Sequence, residues 1–204
     1  MTSDLKCPLA IDNQFVRCWT RRKIHVSSFL MTDTAWTEKL NQVFQRGIRA
    51  WKAGKRNPAS MFDPDDQAFL AGIGCTTQEM FDFVDDHLDW GEPSFETVHA
   101  IQQVRQEFFL KEMRGQTSGK IASMSDLPSK SQAIDGFVWL PRMMAKARLK
   151  LRGEMPDDLM YGCGGDRAFC EREKVDLAKF LKLVWESGDN DQLIVAAVKS
   201  RSVR

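Results

Sequence analysis

The residues of this chain best suited to chemistry lie close together in its second half: Arg142, Lys146 and Arg148, then Tyr161, Cys163 and Asp166. Arg142, Lys146 and Lys150 recur at four-residue spacing, so on a helix they line one flank, while Arg148 and Arg152 line the other. A guanidinium offers a planar fork of donors to a carboxylate or phosphate, and an ammonium adds a compact charge. Bordering a cleft, this flank is a site for a small anionic ligand. On open surface it is a solvated basic face whose apolar stems lie along the helix. The spacing alone leaves both readings open.

The run Tyr161-Gly162-Cys163-Gly164-Gly165-Asp166 precedes a short helical segment. Glycines let backbone N–H groups converge on an anion, and a helix N-terminus adds partial positive charge. A plain turn with Asp166 as N-cap satisfies the same pattern. No Gly-Lys-Ser/Thr follows, so this is not a P-loop. Cys163, at a helix start among cations, is a candidate nucleophile, with Asp166 and Tyr161 beside it in an enzymatic reading. The three histidines, His25, His87 and His99, all lie in the first half, and His87 falls on the apolar face of its helix as a core residue would. His and Cys never cluster at ligand spacing, so neither a metal nor a cofactor is expected.

These groups need helices to position them, and helical periodicity recurs along the chain while strand alternation is nearly absent. Residues 35–53 form a first helix with Leu40, Phe44, Ile48 and Trp51 on one face. A short helix enters through Asp63-Pro64. Thr76 and Glu79 have capping-box spacing and open a third, to Trp90, with Met80, Phe81, Phe83, Val84 and Leu88 on one face and Asp82, Asp85, Asp86 and Asp89 on the other. Pro93-Ser94 opens a fourth, reaching Met113. Arg105 sits inside its apolar arc and needs a carboxylate partner, for which Asp63 to Asp66 are candidates. After a Gly/Ser/Lys-rich linker, helices resume over 139–152, 166–171, 176–187 and 190–200. In the first of these Leu149 lies nearly opposite the stripe of Leu140, Met143, Met144, Ala147 and Leu151. That helix is therefore covered on two sides, by the rest of the chain or by another subunit.

The two halves correspond. Trp36 pairs with Trp139 at an offset of 103 residues, Asp66-Gln67-Ala68-Phe69 with Asp166-Arg167-Ala168-Phe169 at 100, and Gly91 with Gly188 at 97. Offsets that shrink at turns suggest a duplicated unit with trimmed loops, in which Phe69, Phe81, Phe169 and Phe180 are expected to be core residues. The bland alternative is that any two strings of four helices share caps and apolar periods. The first-half counterpart of the glycine turn, Phe62-Asp63-Pro64-Asp65-Asp66, lacks both the glycines and the cysteine, so one copy of any site there has lost it.

Composition narrows the function classes. Lys and Arg total 29 against 28 Asp and Glu, a balance that argues against nucleic acid as a partner. The basic stretch Arg17 to Lys23, in a segment that reads as a helix or an extended arm, does not change that. No run approaches the roughly 20 apolar residues of a membrane span, and the first ten residues do not read as a signal peptide. Five cysteines without a CxxC pair fit a reducing, cytoplasmic setting.

The run Ile134-Asp135-Gly136-Phe137-Val138-Trp139-Leu140-Pro141-Arg142, followed by Lys146-Ala147-Arg148, Leu151, Gly153, Tyr161, Cys163, Asp166 and Phe169, resembles the bacterial family called domain of unknown function 5069. The resemblance is strongest over residues 129–199. It implies a small helical bacterial protein and supplies no activity or catalytic residue.

The sequence thus predicts an all-α protein of two tandem divergent helical repeats of about four helices each, packed as one globular domain. It divides into an arm (1–34), repeat one (35–114), a linker (115–134) and repeat two (135–204). The function read from it is binding of a small anionic ligand near the second-repeat basic helix, by Arg142, Lys146, Arg148, Tyr161, Cys163 and Asp166. The alternatives are a protein–protein interaction module, with a homo-oligomer among the arrangements considered, and an enzyme using Cys163, Asp166 or Tyr161.

Overall fold

The computed structural model describes residues 33–200. All but the end of the arm assigned to 1–34, with Arg17 to Lys23 and His25, lies outside them. The described residues are mostly helical: α1 (Asp33–Lys52), α2 (Pro58–Met61), α3 (Pro64–Gly72), α4 (Thr77–Trp90), α5 (Phe95–Lys111), α6 (Leu140–Arg152), α7 (Gly164–Glu173), α8 (Leu177–Ser187) and α9 (Asp191–Lys199). The segment between α5 and α6 adds a 3-10 turn (Met124–Asp126) and two short antiparallel strands, β1 (Ala133–Ile134) and β2 (Phe137–Val138).

Side-chain caps set most helix starts. The Thr76 hydroxyl accepts from the Glu79 N–H at 3.0 Å, and the Glu79 carboxylate accepts from the Thr76 N–H at 2.9 Å. The Ser94, Asp176 and Asn190 side chains each accept the backbone N–H three residues on and so cap α5, α8 and α9. Two elements were not anticipated. Asn57 caps α2 with proline at its first position. Asp135 and Gly136, at φ 52° and 84°, make the two-residue turn between β1 and β2, a conformation that Asp-Gly adopts readily.

In the first half α1 packs on α4 and α5; in the second, α6 packs on α8, which also carries α9. Helix α5 touches α1, α6 and α8 and so joins the halves. Leu40, Phe44, Met80, Val98, Ile101, Met143, Ala147, Phe180 and Leu181 are all excluded from solvent in this core. Ten of the thirteen residues of α6 are buried, including Leu149, so the helix is covered nearly all round by its own chain. Among the described residues no helix is long and apolar enough to cross a membrane.

Two expectations about the core need correction. Phe169 and Phe180 are fully buried, whereas Phe69 and Phe81 are only half-buried. In α4 the inward line is Met80, Phe83 and Val84, and at about 100° per residue Phe81 falls on its rim. Arg105, for its part, does not pair with Asp63 to Asp66. Asp66 is already held by Arg46 through two N–H donors, with the Lys39 ammonium 3.5 Å away. The Arg105 guanidinium instead lies against Gly74 and Gly153, where a Cβ would approach it to 3.0 and 2.7 Å, with Nη1 directed at the Met113 sulfur at 3.7 Å. Its Nε has no partner, and burial pulls its pKa below the ordinary value.

Truncating Phe169 or Phe180 to Ala should cost about 3–5 kcal/mol of stability. Phe69→Ala and Phe81→Ala should cost less than about 2 kcal/mol, because less area leaves water on folding. Urea denaturation midpoints of the four variants check this order.

Candidate functional site

The site grows from the start of α6. Trp139 occupies the N-cap position with φ 80°, a left-handed backbone that a bulky residue rarely adopts. Packing holds it there. Its indole Nε1 donates to Asp166 Oδ1 at 2.9 Å, and its six-membered ring lies so close to Gly165 that a Cβ there would come within 2.4 Å of it. Gly165 is thus required by contact, and Gly162, at φ 87°, by backbone conformation.

Asp166 gathers these pieces. It is wholly buried, and besides the indole it accepts the Gly162 N–H at 2.8 Å and the Lys146 ammonium at 2.5 Å. Lys146, itself 1% exposed, also donates to Cys163 Sγ at 3.1 Å. The N-cap role read for Asp166 is therefore corrected. Helix α7 begins at Gly164 after Cys163, which makes no side-chain cap, and Asp166 lies inside the first turn and bonds back across it.

One turn along α6, Lys150 reaches the first half of the chain and bonds Glu79 at 2.8 Å, the same carboxylate that completes the α4 capping box. Arg167 of α7 bonds Asp86 of α4 at 2.7 Å and the Gly162 carbonyl at 2.7 Å. These bonds tie α4 to α6 and α7. The result is a cavity of about 560 Å³. Its lining takes Trp139, Arg142 and Lys146 from the start of α6, Cys163 and Gly165 from the turn, and Asp82, Asp85 and Asp86 from α4. Lys130, Asp157 and Asp158 come from the flanking loops.

Of the six residues singled out from the sequence, Arg142, Lys146 and Cys163 line this cavity. Asp166 lies behind it. Tyr161 does not join them: it is 1% exposed, its hydroxyl donates to the Leu177 carbonyl at 2.8 Å, and burial first, then nearby Cys170, Asp166 and Asp176, hold its phenol well above its ordinary pKa. Arg148 is elsewhere too, bonding Asp191 at 2.6 Å and the Gly188 carbonyl. Among the described residues no histidine lines the cavity. His87, read as a core residue, is only half-buried; it bonds the Pro93 carbonyl at 3.0 Å and packs edge-on to Phe44.

The sequence reading missed the acidic wall. The four-residue rhythm of Asp82 and Asp86 was visible, but nothing in the sequence says that α6 and α7 would pack opposite a polar helix face. Asp85 accepts the Trp51 indole N–H at 2.6 Å, and Asp82 accepts the Gln78 amide at 2.7 Å. The Asp82 carboxyl is pushed up to about 7, chiefly by burial and then by Glu79, Asp86 and Asp85, against the pull of the Gln78 bond. Among the described residues no group of three or more His, Cys, Asp or Glu side chains could hold a metal ion.

Residues 124–204 match the family described as Domain of unknown function (DUF5069). The matched segment supplies the basic and thiol-bearing part of the cavity, from Lys130 to Gly165, while the acidic wall of α4 lies outside it. No curated protein and no solved structure matches the chain.

The raised pKa of Asp82 fixes the sign of a pH effect. Between about pH 4 and 7 the folded state holds a proton that the unfolded state has lost, so this group makes stability fall as pH rises. Asp82→Asn should therefore gain about 1–3 kcal/mol over the parent at pH 8 and nothing at pH 4, read from urea midpoints at the two pH values.

Proposed function

We propose that the cavity binds a small molecule through an anionic group, a carboxylate or phosphate, held by Arg142 beside the 162–165 turn. One observation carries this reading. Of the five cations of α6, four are matched by carboxylates: Lys146 by Asp166, Arg148 by Asp191, Lys150 by Glu79 and Arg152 by Glu154. Arg142 is the exception on this helix, with no carboxylate partner among the described residues. It is 9% exposed, lines the cavity, and its charge meets only the Pro128 carbonyl, at 2.8 Å from Nη1. A buried guanidinium without a counter-ion is costly, and an anionic ligand offsets that cost.

Binding suits the geometry better than catalysis by the proposed trio. Asp166 already accepts three donors, and the Tyr161 hydroxyl is committed to a backbone carbonyl, which leaves Cys163 alone of the three in the cavity.

We also infer that the two halves descend from one unit. Both run in the order long helix, short helix, helix, helix, if α2 is set aside. Asp66 and Asp166 sit buried in the first turn of α3 and α7, and each is bound by a cation of the long helix before it, Arg46 or Lys146. On this reading the unmatched Arg142 belongs to the copy that kept a site. The free cysteines Cys75 and Cys170, both buried, support a reducing cytoplasmic setting.

Calorimetric titration with inorganic phosphate and with butanoate tests the binding reading. At least one should bind, and Arg142→Ala should weaken it by about 1.5–3 kcal/mol, roughly 10- to 150-fold. Equal affinity in the parent and the variant, with the variant's thermal midpoint unchanged, would overturn it, as would no binding of either probe.

A further inference from the structure

We propose that the ligand of this cavity is a zwitterion, whose anionic group meets Arg142 and whose amine is held by Asp82 and Asp85 on α4. The proposal rests on the anion-binding reading and names the class of molecule that satisfies it.

The cavity is lined by five aspartates and three cations, so a simple anion enters against an excess of negative charge. Some of those charges are already matched: Lys146 by Asp166, and Asp86 by Arg167. Lys130, Asp157 and Asp158 are exposed, where water and salt screen them. Asp82 and Asp85 remain. Both are half-buried, and the side-chain donors that serve them are neutral: the Gln78 amide on Asp82 and the Trp51 indole on Asp85. Those bonds orient the carboxylates without cancelling their charge.

Arg142 is in the mirror-image position, a cation whose bonded partner is a neutral carbonyl. Above about pH 7, where Asp82 is ionised, one cavity therefore presents a cation and two carboxylates, each oriented by a neutral dipole and lacking an opposite charge. A ligand carrying both signs supplies both counter-ions, and a ligand of either single sign leaves one pole uncompensated. The neighbouring carboxylates that help to raise the Asp82 pKa point the same way, since a bound ammonium offsets their repulsion. The chemistry is shared by amino acids and by aminoalkyl phosphates, and the test separates the two.

The test is a calorimetric comparison of matched probes on the full chain. The ω-amino acids from glycine to 6-aminohexanoate are each set against the carboxylate of the same length, and 2-aminoethyl phosphate against ethyl phosphate. The expected result is at least a tenfold tighter constant for the amine-bearing member of one pair, which also says whether the anionic group is a carboxylate or a phosphate. In the Asp82→Asn/Asp85→Asn variant the ratio within that pair should fall towards one. Because the readout is a ratio within one protein, a general loosening of the site does not imitate it. Equal affinities within every pair overturn the zwitterion proposal and leave the anion-binding reading standing. No binding by any probe overturns both. Should the double variant fail to fold, the parent protein's own pairwise ratios still decide the question.

Discussion

A single buried ion pair, Lys146 with Asp166, organises the second half of this protein. Taking an ammonium and a carboxylate out of water costs several kcal/mol per ion, and their attraction offsets this only when the remaining hydrogen-bonding capacity is also met. Here it is. Asp166 receives the Trp139 indole and the Gly162 N–H as well as the ammonium, and Lys146 also reaches Cys163. Each of these bonds fixes something the site needs. The indole holds a tryptophan in a left-handed conformation at the head of α6, the Gly162 bond shapes the turn, and the ammonium aligns helix with turn. The positions of Gly162 and Gly165 follow from the same arrangement.

The first half solves the same problem with different residues. Asp66 is as buried as Asp166, but its partners are Arg46 and, at longer range, Lys39, and no glycine turn precedes it. An arginine fork occupies both carboxylate oxygens. In the second half the single ammonium of lysine takes one oxygen and leaves the other to the indole. Trp139 donates to that oxygen, while in the first half Trp36 stacks on His99 with ring centroids 4.8 Å apart. The exchange of charge between halves then depends on Lys150 and Arg167, whose bonds to Glu79 and Asp86 bring an acidic face of α4 against the basic start of α6.

Much of this could be read from the chain itself. Caps and apolar periods located the long helices, the capping box at Thr76 is present atom for atom, and Leu149 on the wrong side of its stripe signalled a helix enclosed on more than one face. What escaped was set by contacts between distant residues. Asp166 has the right identity and place for an N-cap, and only the nearness of Lys146 and Trp139 turns it into the centre of a network. The α4 aspartates look like any solvated helix face until α6 and α7 lie opposite. The hairpin was a different matter. Ile134-Asp135-Gly136-Phe137 carries a local turn signal in Asp-Gly, but strands of two residues show no alternation to go with it.

The coupling between Lys146 and Asp166 holds the turn against the helix, and a double-mutant cycle measures it directly. Lys146→Met and Asp166→Asn each leave a buried group without its partner, and each should cost about 3–5 kcal/mol in urea denaturation. The double variant should be more stable than the sum of these losses implies, with a coupling energy above about 2 kcal/mol. Strictly additive losses would mean that the two residues act independently, and that something other than this pair holds the turn against the helix.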